Sequence, residues 1–279
     1  MIAYGRSFKP PRAGEPTCFV FREATDGEEI LALLCIRYIA YRSNGLGRIV
    51  KANPYRIDVD CYDLRARHFG LFQVDRNRQL PIGYVRTVED RLSTESKALG
   101  RALVRFPELR AVAARTCAQP FPLMTYLPDT EAIRVLCARL KDAGERLVEV
   151  SRFALLTGHG SLRLARHMVE AITAIVFFDW GVEHAVWCCD SSHKAFYALY
   201  GFRPLEGTTE GDFLGLGVRS FCVYASVAEV PGRLRGRLIA KARIHSRLGC
   251  IPYEAKSGRV DYGAQPEDVR RTQPAFASL

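Results

Sequence analysis

Along residues 147–156, Leu-Val-Glu-Val-Ser-Arg-Phe-Ala-Leu-Leu, apolar residues alternate with polar ones at the two-residue period of a strand. Thr157-Gly158-His159-Gly160 breaks that pattern. From residue 161 to 180 the apolar positions Leu162, Leu164, Ala165, Met168, Ile172, Ile175 and Val176 follow helical spacing. A strand therefore feeds a long core helix through a glycine-containing turn. Strict alternation puts Glu149, Ser151 and Phe153 on one face and Val150, Arg152 and Ala154 on the other, so two opposite charges enter an otherwise apolar strand. Buried charges demand partners.

Upstream, residues 18–22 read as a first strand, and Asp26 caps a helix carrying Ile30, Leu33, Leu34 and Tyr41, with Arg37 and Tyr38 alongside. Residues 44–66 read as an ordered loop that ends in the acidic run Asp58-Val59-Asp60-Cys61-Tyr62-Asp63. Residues 68–74 and 81–88 form a hairpin around a polar turn. Residues 91–145 are irregular, with helical patches near 96–104 and 130–140, and read as an insertion suited to line a pocket. After the core helix, residues 183–189 read as a strand, Ser191 or Ser192 caps a short helix running to Tyr200, and residues 214–228 supply one or two closing strands. This divides the chain into a flexible arm over 1–17, one domain over 18–230, and a basic extension over 231–279 whose first part reads as a solvated helix.

Composition narrows the function classes. Apolar residues make up 48% of the chain and charged residues 25%, as in ordinary globular proteins. No stretch approaches the roughly 18 uncharged apolar residues of a membrane span, and the first residues lack the apolar run of a signal peptide, so a cytoplasmic protein is expected. Peripheral membrane contact stays open. The nine cysteines show no paired zinc spacing and read as small core residues, and no metal site is expected. The net charge of +10 suits an acidic partner, whereas the lack of zinc-finger or aromatic-basic signatures argues against nucleic acid.

The order strand, glycine turn, long helix, strand, short helix and then Tyr197-Ala198-Leu199-Tyr200-Gly201-Phe202 resembles the GCN5-related N-acetyltransferase fold. Within it, Arg37 with Tyr41, Asp60-Cys61-Tyr62-Asp63, Gly83-Tyr84-Val85-Arg86 and Glu149-Val150-Ser151-Arg152-Phe153 resemble the signature of the autoinducer-synthase branch. The chain is most similar there to the N-acyl amino acid synthases, over residues 18–228. The resemblance implies an α/β (α+β) fold, a mixed central sheet flanked by helices in three layers, α/β/α. It also implies transfer of a fatty acyl group from the phosphopantetheine arm of an acyl carrier protein, entering between splayed strands, to an amino acid, with no bound cofactor. Leu155 stands where the coenzyme A-binding pattern of the wider fold begins, which favours a carrier protein over acyl-coenzyme A. Gly45-Leu46-Gly47 and Asp58 stand where acyl-homoserine-lactone synthases carry a Trp and a Glu, which favours an amino acid over S-adenosylmethionine.

N-acylation needs a neutral amine, a polarised carbonyl and a proton for the departing thiolate. Glu149 and Asp60 are the candidate proton acceptors, backbone N–H groups where the central strands diverge are the candidate oxyanion donors, and Tyr197 is the candidate proton donor. The resemblance implies that Arg37, Tyr41, Asp63, Arg86, Ser151, Arg152 and Phe153 bind substrate or organise the site. A purely structural network of the three carboxylates with the three arginines competes with this reading, as does an aromatic packing role for Tyr197. The competing functions are a homoserine-lactone synthase, a coenzyme A-dependent acyltransferase and a non-catalytic binding module.

Overall fold

The computed structural model describes residues 17–43, 45–75, 78–90, 96–156, 162–212 and 217–255. The expected N-terminal arm, the Gly158-His159-Gly160 turn and the end of the C-terminal tail lie outside these residues. Among the described residues one mixed sheet holds nine strands. They are β1 (Thr17–Ala24), β2 (Arg67–Asp75), β3 (Arg78–Glu89), β4 (Leu147–Leu155), β5 (His184–Asp190), β6 (Arg203–Pro204), β7 (Gly211–Asp212), β8 (Arg219–Ser226) and β9 (Cys250–Ala255). The spatial order is β6-β8-β5-β4-β3-β2-β1-β9, with β7 on β8. The β4–β5 pair is parallel and the other pairs are antiparallel.

Helices cover both faces, as expected for three layers. On one side lie α1 (Gly27–Ser43), α2 (Lys97–Ala102), α3 (Pro107–Ala113), α4 (Leu123–Tyr126) and α5 (Glu131–Asp142). On the other lie α6 (Leu162–Ala174), continued as a π-helical turn over Ile175–Asp179, α7 (Lys194–Ala198) and α8 (Gly232–Leu248). Asp26 caps α1 by accepting from Glu28 N at 2.9 Å and Glu29 N at 3.2 Å. The cap before α7 differs from the sequence expectation. Asp190 accepts from Ser192 N at 2.8 Å, so the carboxylate rather than a serine starts that turn. Gly201, which follows α7, sits at φ +91°, and a Cβ there would come within 2.7 Å of the Glu229 carbonyl.

The described part of the basic segment, residues 232–255, is not a solvated extension. Leu234, Leu238 and Ala242 of α8 are buried in the cluster that also holds Met168 and Ile172 of α6, and β9 extends the sheet beside β1. These apolar positions recur every four residues among basic ones, of which Arg235 donates to the Val227 carbonyl and Arg237 pairs with Glu170 of α6, so the charge density hides a core stripe. The insertion is likewise built into the fold. Leu123, Met124 and Leu127 around α4, with Ile133, Leu136 and Leu140 of α5, cover Val88, Leu147, Val186 and Cys222 of the sheet.

Two irregularities of β4 place the functional side chains. Its pairing with β5 runs from Leu147↔His184 to Val150↔Trp187, after which β4 continues on β3 and β5 continues on β8. The two central strands therefore part after Val150. In the same stretch Arg86 pairs with Ser151 but Tyr84 pairs with Ala154, so β4 carries one residue more than β3, and Arg152 takes φ +58°. This bulge resets the alternation. Phe153 and Leu155 join Val148 and Val150 against α6, while Arg152 and Ala154 share the face of Glu149 and Ser151. Strict alternation had put Arg152 opposite Glu149 and Phe153 beside it; the extra residue exchanges them.

Candidate active site

On the α1–α5 side of the sheet, apolar clusters lie under α1–α3 and under α4–α5. Polar side chains of β3 and β4 fill the seam between them. Arg86 lies between Tyr84 and Val88 on β3, and Glu149 and Ser151 lie between Leu147 and Ala154 on β4. Arg37 reaches the seam from α1, and the acidic turn before β2 closes over it. Arg37, Arg86, Asp63 and Glu149 are removed from bulk water and Asp58, Asp60 and Arg152 largely so, so their partners decide their state.

Asp63 is the hub. Its carboxylate accepts from Arg37 Nη1 at 2.9 Å and Nη2 at 2.8 Å in a two-pronged contact, and from Arg86 Nη1 at 2.6 Å. Asp63, Arg37 and Arg86 are fully buried. Asp58, whose carboxylate lies 2.6 Å from Arg37 Nε, extends the network. So does His68. Because a carbonyl can only accept, His68 Nε2–H donates to Asp63 O at 2.9 Å, which leaves Nδ1 to accept from the Tyr84 hydroxyl at 2.9 Å. Burial holds His68 below the ordinary histidine value, consistent with that neutral tautomer.

Asp60 is bound on both oxygens. Arg86 Nη1 lies 2.7 Å from Oδ1, and Arg152 Nη2 at 3.1 Å and the Tyr126 hydroxyl at 3.2 Å donate to Oδ2. Burial raises the proton affinity of this carboxyl, but Arg86, Arg152 and Arg37 outweigh burial and hold it well below the usual carboxylate range. A carboxylate so stabilised has little pull on an ammonium proton.

Glu149 has the opposite environment. It is buried, and Oε2 accepts from the backbone N–H of Leu123 at the start of α4 at 2.9 Å. Burial pushes its carboxyl up to about 8, against the smaller pull of the Leu123 N–H, Arg86 and the Ser151 hydroxyl. Ser151 also accepts from Arg86 Nε at 3.1 Å, which links the Glu149 carboxyl to the arginine network. Two carboxyls expected to compete for one role thus differ sharply in proton affinity, a pattern typical of a working acid–base site.

The parting of the strands adds the rest. The Tyr197 ring packs at a tilt on Trp187, the last residue of β5 paired with β4, with centroids 4.7 Å apart, and Phe153 lies 6.2 Å from the same ring. Burial raises the Tyr197 phenol well above its ordinary value and keeps it protonated. Tyr41 of α1 lies below the Arg152 guanidinium, 6.0 Å from its ring centre. All ten side chains named from the sequence thus line either the seam or the point of divergence. Tyr126, His68 and the Leu123 N–H carry no site signal in the sequence, and Tyr84 is legible only as part of Gly83-Tyr84-Val85-Arg86. Tyr126 and Leu123 stand in a proline-rich stretch without periodicity, so nothing local marked them. Asp58 belonged to the acidic run and was legible only as a departure from a related pattern. Among the described residues no group of three or more His, Cys, Asp and Glu side chains is disposed to hold a metal ion, and no helix is long and apolar enough to cross a membrane.

The family model of the N-acyl amino acid synthase FeeM matches residues 123–218, an interval that includes Glu149, Ser151, Arg152, Phe153 and Tyr197. Among solved structures the chain is similar to FeeM, an N-acyl amino acid synthase from uncultured soil microbes, at 17% identity over 77% of this chain and 93% of that chain, with a TM-score of 0.48. It is similar to BjaI, a coenzyme A-dependent acyl-homoserine lactone synthase solved with SAM and isopentyl-CoA, at 14% identity over 80% and 82%, with a TM-score of 0.46. An acyl-CoA N-acyltransferase from Pseudomonas aeruginosa is similar at 11% identity over 75% and 99%, with a TM-score of 0.41. No curated protein sequence matches the chain. The family match bears out the resemblance read from Glu149–Phe153 and Tyr197–Phe202, and with it the expectation of an acyltransferase.

Proposed function

We propose that the chain is an N-acyltransferase that moves a fatty acyl group from the phosphopantetheine thioester of an acyl carrier protein to the amino group of an amino acid. The observation that carries this reading is the buried Glu149 carboxyl, raised to about 8, two residues before β4 and β5 separate. A thioester arm laid between the diverging strands brings its carbonyl to the edge of β4 that β5 has left. Glu149 takes a proton from the acceptor ammonium, directly or through water. The freed nitrogen lone pair attacks the carbonyl carbon, and negative charge gathers on the carbonyl oxygen, where backbone N–H groups of the opened edge hold it. As the C–N bond is completed the C–S bond breaks. The thiolate takes a proton from Tyr197, the nitrogen's second proton returns through water to the Tyr197 phenolate, and Glu149 releases the first proton to solvent, so one proton is released overall.

Asp60 is assigned to organisation rather than proton transfer, because Arg86 and Arg152 keep it ionised. With Asp58, Asp63, Arg37, Arg86 and Arg152 it forms a floor of three carboxylates and three guanidiniums that fixes Ser151 and, through it, Glu149. Tyr41 and Phe153 supply apolar surface on either side of the sheet at the divergence. A carrier-protein donor is favoured by Leu155, which is packed into the core where a coenzyme A-binding pattern would begin, and by the charge of +10, which suits an acidic carrier. The test is the mass of the product formed from acyl-carrier protein with a panel of amino acids. Amide products support the reading. A lactone formed only with S-adenosylmethionine, turnover only with acyl-coenzyme A, or binding without turnover would each replace it with the corresponding alternative.

A further inference from the structure

Arg152 holds a left-handed backbone conformation, φ +58°, that a residue with a Cβ adopts only when its surroundings impose it. Those surroundings come from two separate segments. The acidic turn before β2 supplies Asp60 Oδ2 at 3.1 Å from Nη2 and Asp58 Oδ2 at 3.7 Å from Nη1. The insertion supplies Tyr126 of α4, whose hydroxyl accepts from Arg152 Nη2 at 3.2 Å and donates to Asp60 Oδ2 at 3.2 Å. The Tyr126 ring also lies against the guanidinium, 5.3 Å from centroid to Cζ. This phenol therefore closes a triangle with the arginine and the carboxylate, and burial keeps it protonated and able to donate. The first residue of the same short helix supplies the N–H that Glu149 accepts.

We infer that Tyr126 is a positioning residue. By holding the Arg152 guanidinium against Asp60 it fixes the left-handed turn of β4, and so sets the direction of the backbone groups that β4 presents where it leaves β5. The inference rests on the acyl-transfer reading above, in which those groups hold the oxyanion. It makes the insertion part of the working site through a side chain that touches no reacting atom.

Tyr126→Phe removes the hydroxyl and keeps the ring. The expected result is a kcat lower by about tenfold, since small misplacements at a reacting centre are costly, with KM for donor and acceptor changed by less than about twofold. Arg152→Lys keeps the charge but loses the planar guanidinium that lies against the Tyr126 ring, with Nη2 on Asp60 and the Tyr126 hydroxyl and Nη1 toward Asp58. The double variant should be no slower than Arg152→Lys alone, because both changes act through one turn of backbone. Amide hydrogen exchange at residues 152–154, read without substrate, should speed up in Tyr126→Phe while exchange in α6 is unchanged. An unchanged kcat, additive losses in the double variant, or a raised acceptor KM with unchanged exchange would overturn the inference; the last would make Tyr126 a substrate contact. If the wild-type chain transfers no acyl group from any donor, the acyl-transfer reading fails, and the exchange measurement still decides whether Tyr126 fixes this turn.

Discussion

Replacing Glu149 by glutamine should stabilise the protein at alkaline pH. The folded chain holds the Glu149 proton up to about pH 8, whereas an unfolded chain releases it near the ordinary value of 4.5. Between those limits the folded state binds more protons than the unfolded state, so this group makes stability fall as pH rises. The loss is absent below about pH 4.5 and complete above about pH 8. At about 1.4 kcal/mol per pH unit the interval sets a ceiling of about 5 kcal/mol, and local relaxation should leave a few kcal/mol of it. Glutamine keeps the shape and an oxygen that accepts from the Leu123 N–H, but it cannot ionise. Urea denaturation of wild type and Glu149→Gln at about pH 5, 7 and 9 isolates the effect, since all other titrating groups are shared. The variant should match the wild type at the lowest pH and gain steadily above it. A stability difference that does not change with pH, or that shrinks as pH rises, would refute the buried, proton-holding carboxyl.

Asp63→Asn should cost about 3–5 kcal/mol of stability in calorimetry, because Arg37 and Arg86 are fully buried and would lose the carboxylate they share; a loss under about 1 kcal/mol would mean that water already screens the network. Leu238→Ala on α8 should cost about 2–5 kcal/mol, as for a core leucine, and a neutral result would return that helix to the surface. Acyl-carrier protein should exceed the matching acyl-coenzyme A by at least about tenfold in kcat/KM, or about 1.4 kcal/mol, and added salt should shrink the margin. Equal kcat/KM values at low salt would point to coenzyme A.

Much of this architecture was legible because its signals are local. The period of residues 147–156, the cap at Asp26 and the apolar face of residues 161–180 each depend on neighbours within a few positions. The charged side chains of the seam were legible as residue types, and their convergence follows from burying opposite charges on adjacent elements. The bulge was not legible. It comes from pairing β4 with β3, and a one-residue offset between strands leaves no mark on β4 alone; it moved Arg152 to the face of Glu149. The same holds for α4, whose four residues carry no period, so the donors Leu123 N–H and Tyr126 appear only once the helix is seated on the sheet. In α8 a basic surface masked a regular core stripe, and local charge outweighed periodicity in the reading.

Glu149 as the proton acceptor for acyl transfer at the point where β4 and β5 part is tested most directly by one experiment. Single-turnover transfer from acyl-carrier protein to an amino acid is followed by product mass across pH, for wild type and Glu149→Gln. The wild-type rate should rise through about pH 8, where the Glu149 carboxyl ionises. The variant, still folded, should be slower by about a hundredfold at alkaline pH. A variant as fast as the wild type on that limb, or no N-acyl amino acid from either protein, would contradict it.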